Sequence, residues 1–283
     1  MSEATSHPAQ PTTISSAADA TPAQYWMFIQ LLLWAIGTQL DEAMASVGLI
    51  GCAVAVVIHS IGNRGFAGSS LLRWKPLLAF LAWALLAPLC LGRIPTGAGV
   101  ARVVDWLGVP IAAYAFGAVN RAQRIWIGVI AGSVFLVSCG LAGLQHYGLW
   151  PSRELFAPLS WTRIGFQRVY ERIPGIDNRF MGGGLLFHRL KFAHLGGLAV
   201  LVSLVWAFRA PRKPLRFYAA IVCAIGFLSV IFFPYARAAA VALLLSALLT
   251  TAWLARRRRA VALLAVGVLA FSPLILIYNA PLR

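Results

Sequence analysis

The hydrophobic runs of this chain are as long as a lipid bilayer is thick, which narrows the fold before any motif is considered. A helix rises about 1.5 Å per residue, so crossing roughly 30 Å of hydrocarbon takes about 17 to 25 predominantly apolar residues. Nine stretches suit this role: Tyr25 to Leu40, Ala43 to Ser60, Leu77 to Gly92, Val103 to Val119, Ile125 to Leu144, Gly183 to Phe208, Phe217 to Tyr235, Ala238 to Leu254 and Val261 to Tyr278. Hydrophobic residues make up 60% and charged residues 11% of the 283 positions, a balance that a water-facing globular surface does not sustain. The expected fold is an all-α polytopic membrane protein of about nine transmembrane helices with one long polar loop.

The charges then assign sides. Thirteen of the 24 Lys and Arg residues fall in four short gaps: Arg64, Arg73 and Lys75; Arg121 and Arg124; Arg209, Arg212, Lys213 and Arg216; and Arg256 through Arg259. Counted alternately between nine spans, all four gaps land on one side, which the positive-inside rule makes cytoplasmic. The other side receives Asp41 with Glu42, the segment around Arg93 and Arg102, the stretch from Gln145 to Gly182, Arg237 and the C-terminus. Residues 1–24, rich in Ser, Thr, Ala and Pro, are expected to form a disordered cytoplasmic tail. They lack the basic region and cleavage site of a signal peptide, so the first span is expected to stay as an anchor. Residues 25–283 are expected to form the transmembrane domain, with the long polar loop at 145–182 on the side opposite the cytoplasm.

Several function classes are disfavoured. The net charge of +16 would suit nucleic acid, but the cations are parcelled into membrane-flanking gaps rather than gathered on one face. No nucleic-acid partner is expected, and Arg256 to Arg259 read as a topology lock that also meets anionic lipid headgroups. Cys52, Cys90, Cys139 and Cys223 each sit in an apolar run, without the spacing of a metal or disulfide motif, so they read as small hydrophobes. The last acidic residue is Asp177, and no span carries a carboxylate near its middle, which counts against proton- or cation-coupled transport. No internal repeat supports an inverted-repeat transporter either.

Two places attract attention as sites. Phe217 to Leu254 would extend about 57 Å as one helix, so it must fold back, and its sole charge, Arg237, follows Pro234 at the midpoint. Both basic flanks of this run belong in the cytoplasm, so the turn carrying Arg237 is expected at the far face. There the guanidinium either snorkels to the interface or meets an anion, because at bilayer centre it would cost about 2.5 to 3.5 kcal/mol. The second place is Arg179 to His194, which brings Arg179, Arg189, Lys191, His188 and His194 to the same outer boundary. At about 100° per residue His188, Lys191 and His194 share a stripe, whereas Arg189 lies about 160° from Lys191. Gly182, Gly183 and Gly184 lack a following Gly-Lys-Ser/Thr, which excludes a phosphate-binding Walker loop and leaves a bend or close helix packing. Arg163, Arg168 and Arg172 alternate with aromatics and suggest an interfacial amphipathic helix from Thr162 to Arg172. Glu154, Glu171 and Asp177 are the loop's acids, and spacing does not distinguish a general base among them.

These residues resemble the bacterial O-antigen ligases and the related O-antigen polymerases. Arg179-x-x-Gly182 resembles the family's Arg-x-x-Gly at the end of a periplasmic loop. Phe187-His-Arg-Leu-Lys-Phe-Ala-His194 resembles its entry into the next span, and Tyr235-Ala-Arg237-Ala-Ala-Ala resembles the Ser/Thr-Arg-Gly-Ala start of a later one. The spacing of 58 residues between Arg179 and Arg237 (237 minus 179) fits as well, and the resemblance extends from about Gln145 to Tyr278. It implies a glycosyltransferase-C-like bundle in the bacterial inner membrane. It also implies transfer of a glycan from undecaprenyl pyrophosphate to lipid A core or another glycan at the periplasmic face, with no metal and no cofactor. Arg179 and Arg237 are then first choices for gripping the pyrophosphate, with Arg189, Lys191 and His188 as further substrate-binding candidates; no catalytic residue is assigned.

The chain departs from that pattern. Lys191 stands where relatives often have Thr, and Ala236 where they have Ser or Thr. Family members continue into a second periplasmic loop bearing a histidine needed for transfer, whereas Arg283 is reached at that point and none of the five histidines takes the role by position. A fragment or a divergent member is therefore an open expectation. Two other classes compete: a flippase or transporter of an anionic lipid-linked glycan, and a non-catalytic membrane subunit.

Overall fold

Backbone N–H and C=O groups in hydrocarbon have no water to bond, so long apolar runs close their hydrogen bonds internally as helices. The computed structural model describes residues 21–40, 42–62, 74–90, 92, 97–149, 172–173, 179–186 and 189–255, and every regular element among them is helical. In chain order these are α1 (Pro22–Leu40), α2 (Glu42–Gly62), α3 (Lys75–Cys90), α4 (Gly97–Ala118), α5 (Arg121–His146), a single 3₁₀ turn (Gly184–Leu186), α6 (Arg189–Arg209), α7 (Lys213–Phe232) and α8 (Arg237–Ala255). An isolated antiparallel bridge pairs Arg172 with Phe180.

Among the described residues five helices are long and apolar enough to cross a membrane: Ala43–Ile61, Arg121–His146, Arg189–Arg209, Lys213–Phe232 and Arg237–Leu254. Their outward faces are apolar too, with Val202, Leu228, Leu245 and Leu249 more than half exposed. Such faces call for lipid rather than water as solvent. Leu77–Ala87 and Leu107–Ala118 are shorter apolar helices. The expected ninth span at 261–278 lies outside the described residues. So do Asp41, Arg64, Arg73, Arg93, residues 150–171 with most of the expected amphipathic helix, Asp177, His188 and Arg256 to Arg259.

Local chemistry fixes two helix starts. Thr21 Oγ1 accepts the Gln24 N–H at 3.3 Å while Gln24 Oε1 accepts the Thr21 N–H at 2.9 Å, a reciprocal capping box with Pro22 at the first helical position. This corrects the expected tail of 1–24, because its last residues already belong to α1. The same device starts α5, where Asn120 and Gln123 exchange bonds of 2.9 and 3.1 Å.

The chain divides into two compact units. One comprises the chain as far as Leu31 together with Leu49–Trp126. Here Gln24 Nε2 donates to the Ala118 carbonyl at 3.0 Å, and His59 meets Tyr114 edge-on at 6.5 Å. The other comprises Leu32–Gly48 and the chain from Ile127 onward. Its core is built on Phe135 and Phe192, whose rings lie 6.4 Å apart, with Val200, Val222, Val230, Leu243 and Leu244 around them. A Cβ on Gly226 would overlap Phe135 Cε1, so the missing side chain is what lets α7 approach this ring. Cys139 is buried in this core and Cys52 in the first unit; Cys223 is half-buried and Cys90 exposed, all four as free thiols.

The long run through Arg237 is two helices, as its length demands. α7 stops at Phe232 and α8 starts at Arg237, with Pro234 buried between them and Tyr235 held at φ 51°. Proline withholds the N–H that would continue α7, and the left-handed residue after it turns the chain.

Candidate functional site

The C-terminal turn of α5 anchors the site. Gln145 is fully buried (0% exposed) on a face where a polar amide must find partners. It finds three in the glycine segment. Its Oε1 accepts the N–H groups of Gly183 at 2.8 Å and Gly184 at 2.9 Å, and its Nε2 donates to the Gly184 carbonyl at 3.1 Å. Two turns earlier Ser138 Oγ accepts the Leu185 N–H at 3.0 Å. The peptide from Gly183 to Leu185 is thereby bound to α5 as if to a neighbouring strand.

Two glycines are required for this. A Cβ on Gly182 would overlap the Ala142 carbonyl oxygen, and Gly184 sits at φ +59°, where it would also overlap Ser138 Oγ. The expectation that α6 begins at Gly183 is therefore corrected. Side-chain capture of the peptide groups postpones the helix until Arg189.

The same segment reaches the α7–α8 break. Gly182 donates its N–H to the Phe233 carbonyl at 2.8 Å, Phe180 donates to the His146 carbonyl at 3.1 Å, and Ile173 donates to the Arg179 carbonyl at 3.0 Å. Arg179 thus lies three residues from one partner of the Gly182–Phe233 bond, and Arg237 lies four residues from the other. The first turns of α6 and α8 also meet, through the buried trio Ala193, Ala236 and Ala239. Arg189 and Lys191 start that turn of α6, so all four described candidates (Arg179, Arg189, Lys191 and Arg237) belong to one end of the second unit. His188, the fifth, lies outside the described residues.

Each of the first-choice arginines has an aromatic companion. The half-buried Arg179 places Cζ 4.4 Å over the ring of Tyr147. The exposed Arg237 has Cζ 5.4 Å from the Tyr235 ring centroid and donates from Nη2 to Tyr235 Oη at 3.2 Å. A guanidinium over an aromatic face gains about 0.5 to 1 kcal/mol at an exposed site. The stacking also sets the plane of the fork whose N–H edge bonds oxyanions. Arg189 and Lys191 are both half-buried, and their angular separation lets only one of them turn toward α8. His194 is exposed and its Nδ1 makes a 2.6 Å bond with the Leu190 carbonyl, one turn back. His146 packs edge-on to Tyr147 at 5.1 Å and against Phe233 at 5.5 Å.

Among the described residues no group of three His, Cys, Asp or Glu gathers to hold a metal ion. What the arrangement offers chemically is fixed cations on a partly buried surface at a helix-bundle end, suited to an oxyanion. Sequence reasoning missed Gln145 and Tyr147. A glutamine and a tyrosine closing an apolar run look like ordinary interfacial residues, and only the folded partner segment shows what they hold. Tyr235 was visible beside Arg237, but its left-handed backbone was not. A search of protein-family models, of curated proteins and of solved structures finds no match to this chain.

Proposed function

We propose that this chain is a membrane glycosyltransferase of O-antigen ligase or polymerase type, acting at the periplasmic face of the bacterial inner membrane. In this reading it has about nine spans in a glycosyltransferase-C-like bundle, its N-terminus is cytoplasmic and the loop at 145–182 is periplasmic. The observation that carries the reading is the Gly182–Phe233 hydrogen bond, which ties the Arg179 segment to the hinge before Arg237.

The donor is a glycan on undecaprenyl pyrophosphate, and the acceptor is a hydroxyl of lipid A core or of another glycan. The acceptor oxygen bonds the anomeric carbon as the bond from that carbon to phosphate breaks. The electron pair leaves with the lipid pyrophosphate, and the acceptor's proton passes to a base. Negative charge grows on the leaving phosphate, and Arg179 and Arg237 stabilise it through charge-assisted, bidentate hydrogen bonds that need no deprotonation. Fixed donors in a partly dry site act there without reorganising at the moment of reaction. Either Arg189 or Lys191 adds a third cation, and His188, which precedes Arg189 in the sequence, is a further binding candidate. Membrane lipids complete the surroundings.

The test is reconstitution of the purified chain in proteoliposomes with a labelled glycan on undecaprenyl pyrophosphate and a hydroxyl acceptor. Label moving to the acceptor is expected; movement of the intact donor across the bilayer without transfer would instead identify a flippase. Sidedness has its own readout. A cysteine placed at Tyr147 or Tyr235 should react with an impermeant reagent from the periplasmic side, and reaction from the cytoplasmic side alone would invert the topology.

Tyr235 gives a further prediction. A bulky residue at φ 51° costs about 1 to 2 kcal/mol that glycine does not incur. Tyr235→Gly removes that strain while losing ring contacts, so the thermal unfolding midpoint should stay within a few degrees of the parent. Transfer should nevertheless fall roughly 5-fold, the scale of about 1 kcal/mol lost with the cation–π contact to Arg237. Tyr235→Phe, which keeps the ring, should retain most of the transfer.

A further inference from the structure

The other end of the second unit carries a different charge pattern. Across the junction of α6 and α7 four cations, Arg209, Arg212, Lys213 and Arg216, fall within eight residues, and all four side chains are exposed. Arg216 Nε donates to the Ala210 carbonyl at 2.6 Å, tying the start of α7 back to the end of α6, while Pro211 and Pro214 restrict the backbone between them. Arg209 places Cζ 4.7 Å over the ring of Trp253 near the end of α8. Trp253 is 57% and Phe217 71% exposed. A constrained basic turn flanked by two exposed aromatics is the composition of a membrane–water boundary.

The helices that carry these cations supply no counter-charge. Residues 178 to 283 contain no Asp or Glu, so α6, α7 and α8 offer no carboxylate to this turn. The first turn of α7 contains no acidic residue, and its capping residue Arg212 makes no side-chain capping bond. The positive end of the helix dipole therefore adds to the mutual repulsion of Arg212, Lys213 and Arg216. A fixed cluster of this kind is stabilised by an anion supplied from outside the protein.

We propose that the α6–α7 turn is a seat for the headgroup of an anionic phospholipid in the leaflet it faces. The lipid phosphate sits among Arg212, Lys213 and Arg216, and the acyl chains run along the apolar flank that begins at Phe217. This does not rest on the glycan-transfer reading, since it concerns the opposite end of the unit and a different readout.

The experiment measures lipid retention by native mass spectrometry on the purified full chain in detergent, titrated with phosphatidylglycerol, phosphatidylcholine or inorganic phosphate, alongside thermal unfolding. Phosphatidylglycerol should be retained about 10-fold or more in preference to phosphatidylcholine, at roughly a tenfold factor for each 1.4 kcal/mol of headgroup preference, and should raise the unfolding midpoint. The pair Arg212→Gln with Arg216→Gln should weaken retention about 30-fold, at roughly 1 kcal/mol for each cation near the surface. Arg212→Lys with Arg216→Lys keeps the charge and should retain the lipid within a few fold, which covers the case of a misfolded glutamine variant. Arg121→Gln with Arg124→Gln removes the same charge from the exposed start of α5 and should leave retention unchanged. Equal loss from both glutamine pairs would reduce the effect to diffuse charge and overturn the seat. Equal retention of phosphatidylcholine would overturn it as well, and an equal midpoint shift from inorganic phosphate would point to a soluble anion instead of a lipid.

Discussion

Arg179→Ala and Arg237→Ala should each lower glycan transfer by about 10²- to 10³-fold, the scale seen when one fixed donor to a developing oxyanion is removed. The loss should fall on the rate of transfer in proteoliposomes while membrane extraction and the helical circular dichroism stay at parent levels. Neither arginine belongs to the apolar core: Arg237 is exposed and Arg179 half-buried over Tyr147. Lysine at either position keeps the charge but loses the planar fork, so Arg179→Lys and Arg237→Lys should recover only part of the rate. The double variant should lose less than the product of the two single losses if both guanidinium groups act on one phosphate group. Parent-level transfer by either alanine variant would remove that arginine from the site, and independent multiplicative losses would separate the two cations.

Gln145→Leu should be the most damaging single change to the folded state outside the Phe135 core. Leucine fills similar space but abandons the N–H groups of Gly183 and Gly184 and the Gly184 carbonyl, all of which the glutamine satisfies. Each buried group left without a partner costs about 1 to 3 kcal/mol, so a total of roughly 3 to 9 kcal/mol is expected. For a chain of this size the unfolding midpoint would fall on the order of 10 °C, measured by differential scanning fluorimetry in detergent. Gln145→Glu keeps both acceptor positions and should fall between leucine and the parent. An unchanged midpoint in the leucine variant would mean that water replaces the amide, and that the glycine segment is held by the Gly182–Phe233 bond and Ser138 instead.

The legible part of the fold was the part that depends on solvent. Helix length against bilayer thickness marked most described helices to within four residues, though two of them, starting at Gly97 and Arg189, begin six residues from the expected Val103 and Gly183, and it also demanded the break that appears between Phe232 and Arg237. Where the reading slipped, side chains had competed for the backbone. Thr21 and Gln24 start α1 earlier than apolar content alone suggests, and Gln145 with Ser138 delays α6 until Arg189. Hydropathy is blind to both, because a hydrogen bond from one side chain to a peptide group leaves no periodic signature.

For the site the division is similar. The sequence by itself determined which cations were worth examining, since a guanidinium beside an apolar run is costly without an interface or an anion, and few residues meet that description. Only the tertiary structure decided that the Arg179 and Arg237 segments share a hydrogen bond, that each guanidinium has a tyrosine beneath it, and that a buried glutamine holds the peptide between them. Those facts depend on contacts between residues as many as 51 positions apart, as from Gly182 to Phe233 (233 minus 182). Local spacing encodes which face of a helix a residue occupies, whereas packing alone selects the segment that face will meet.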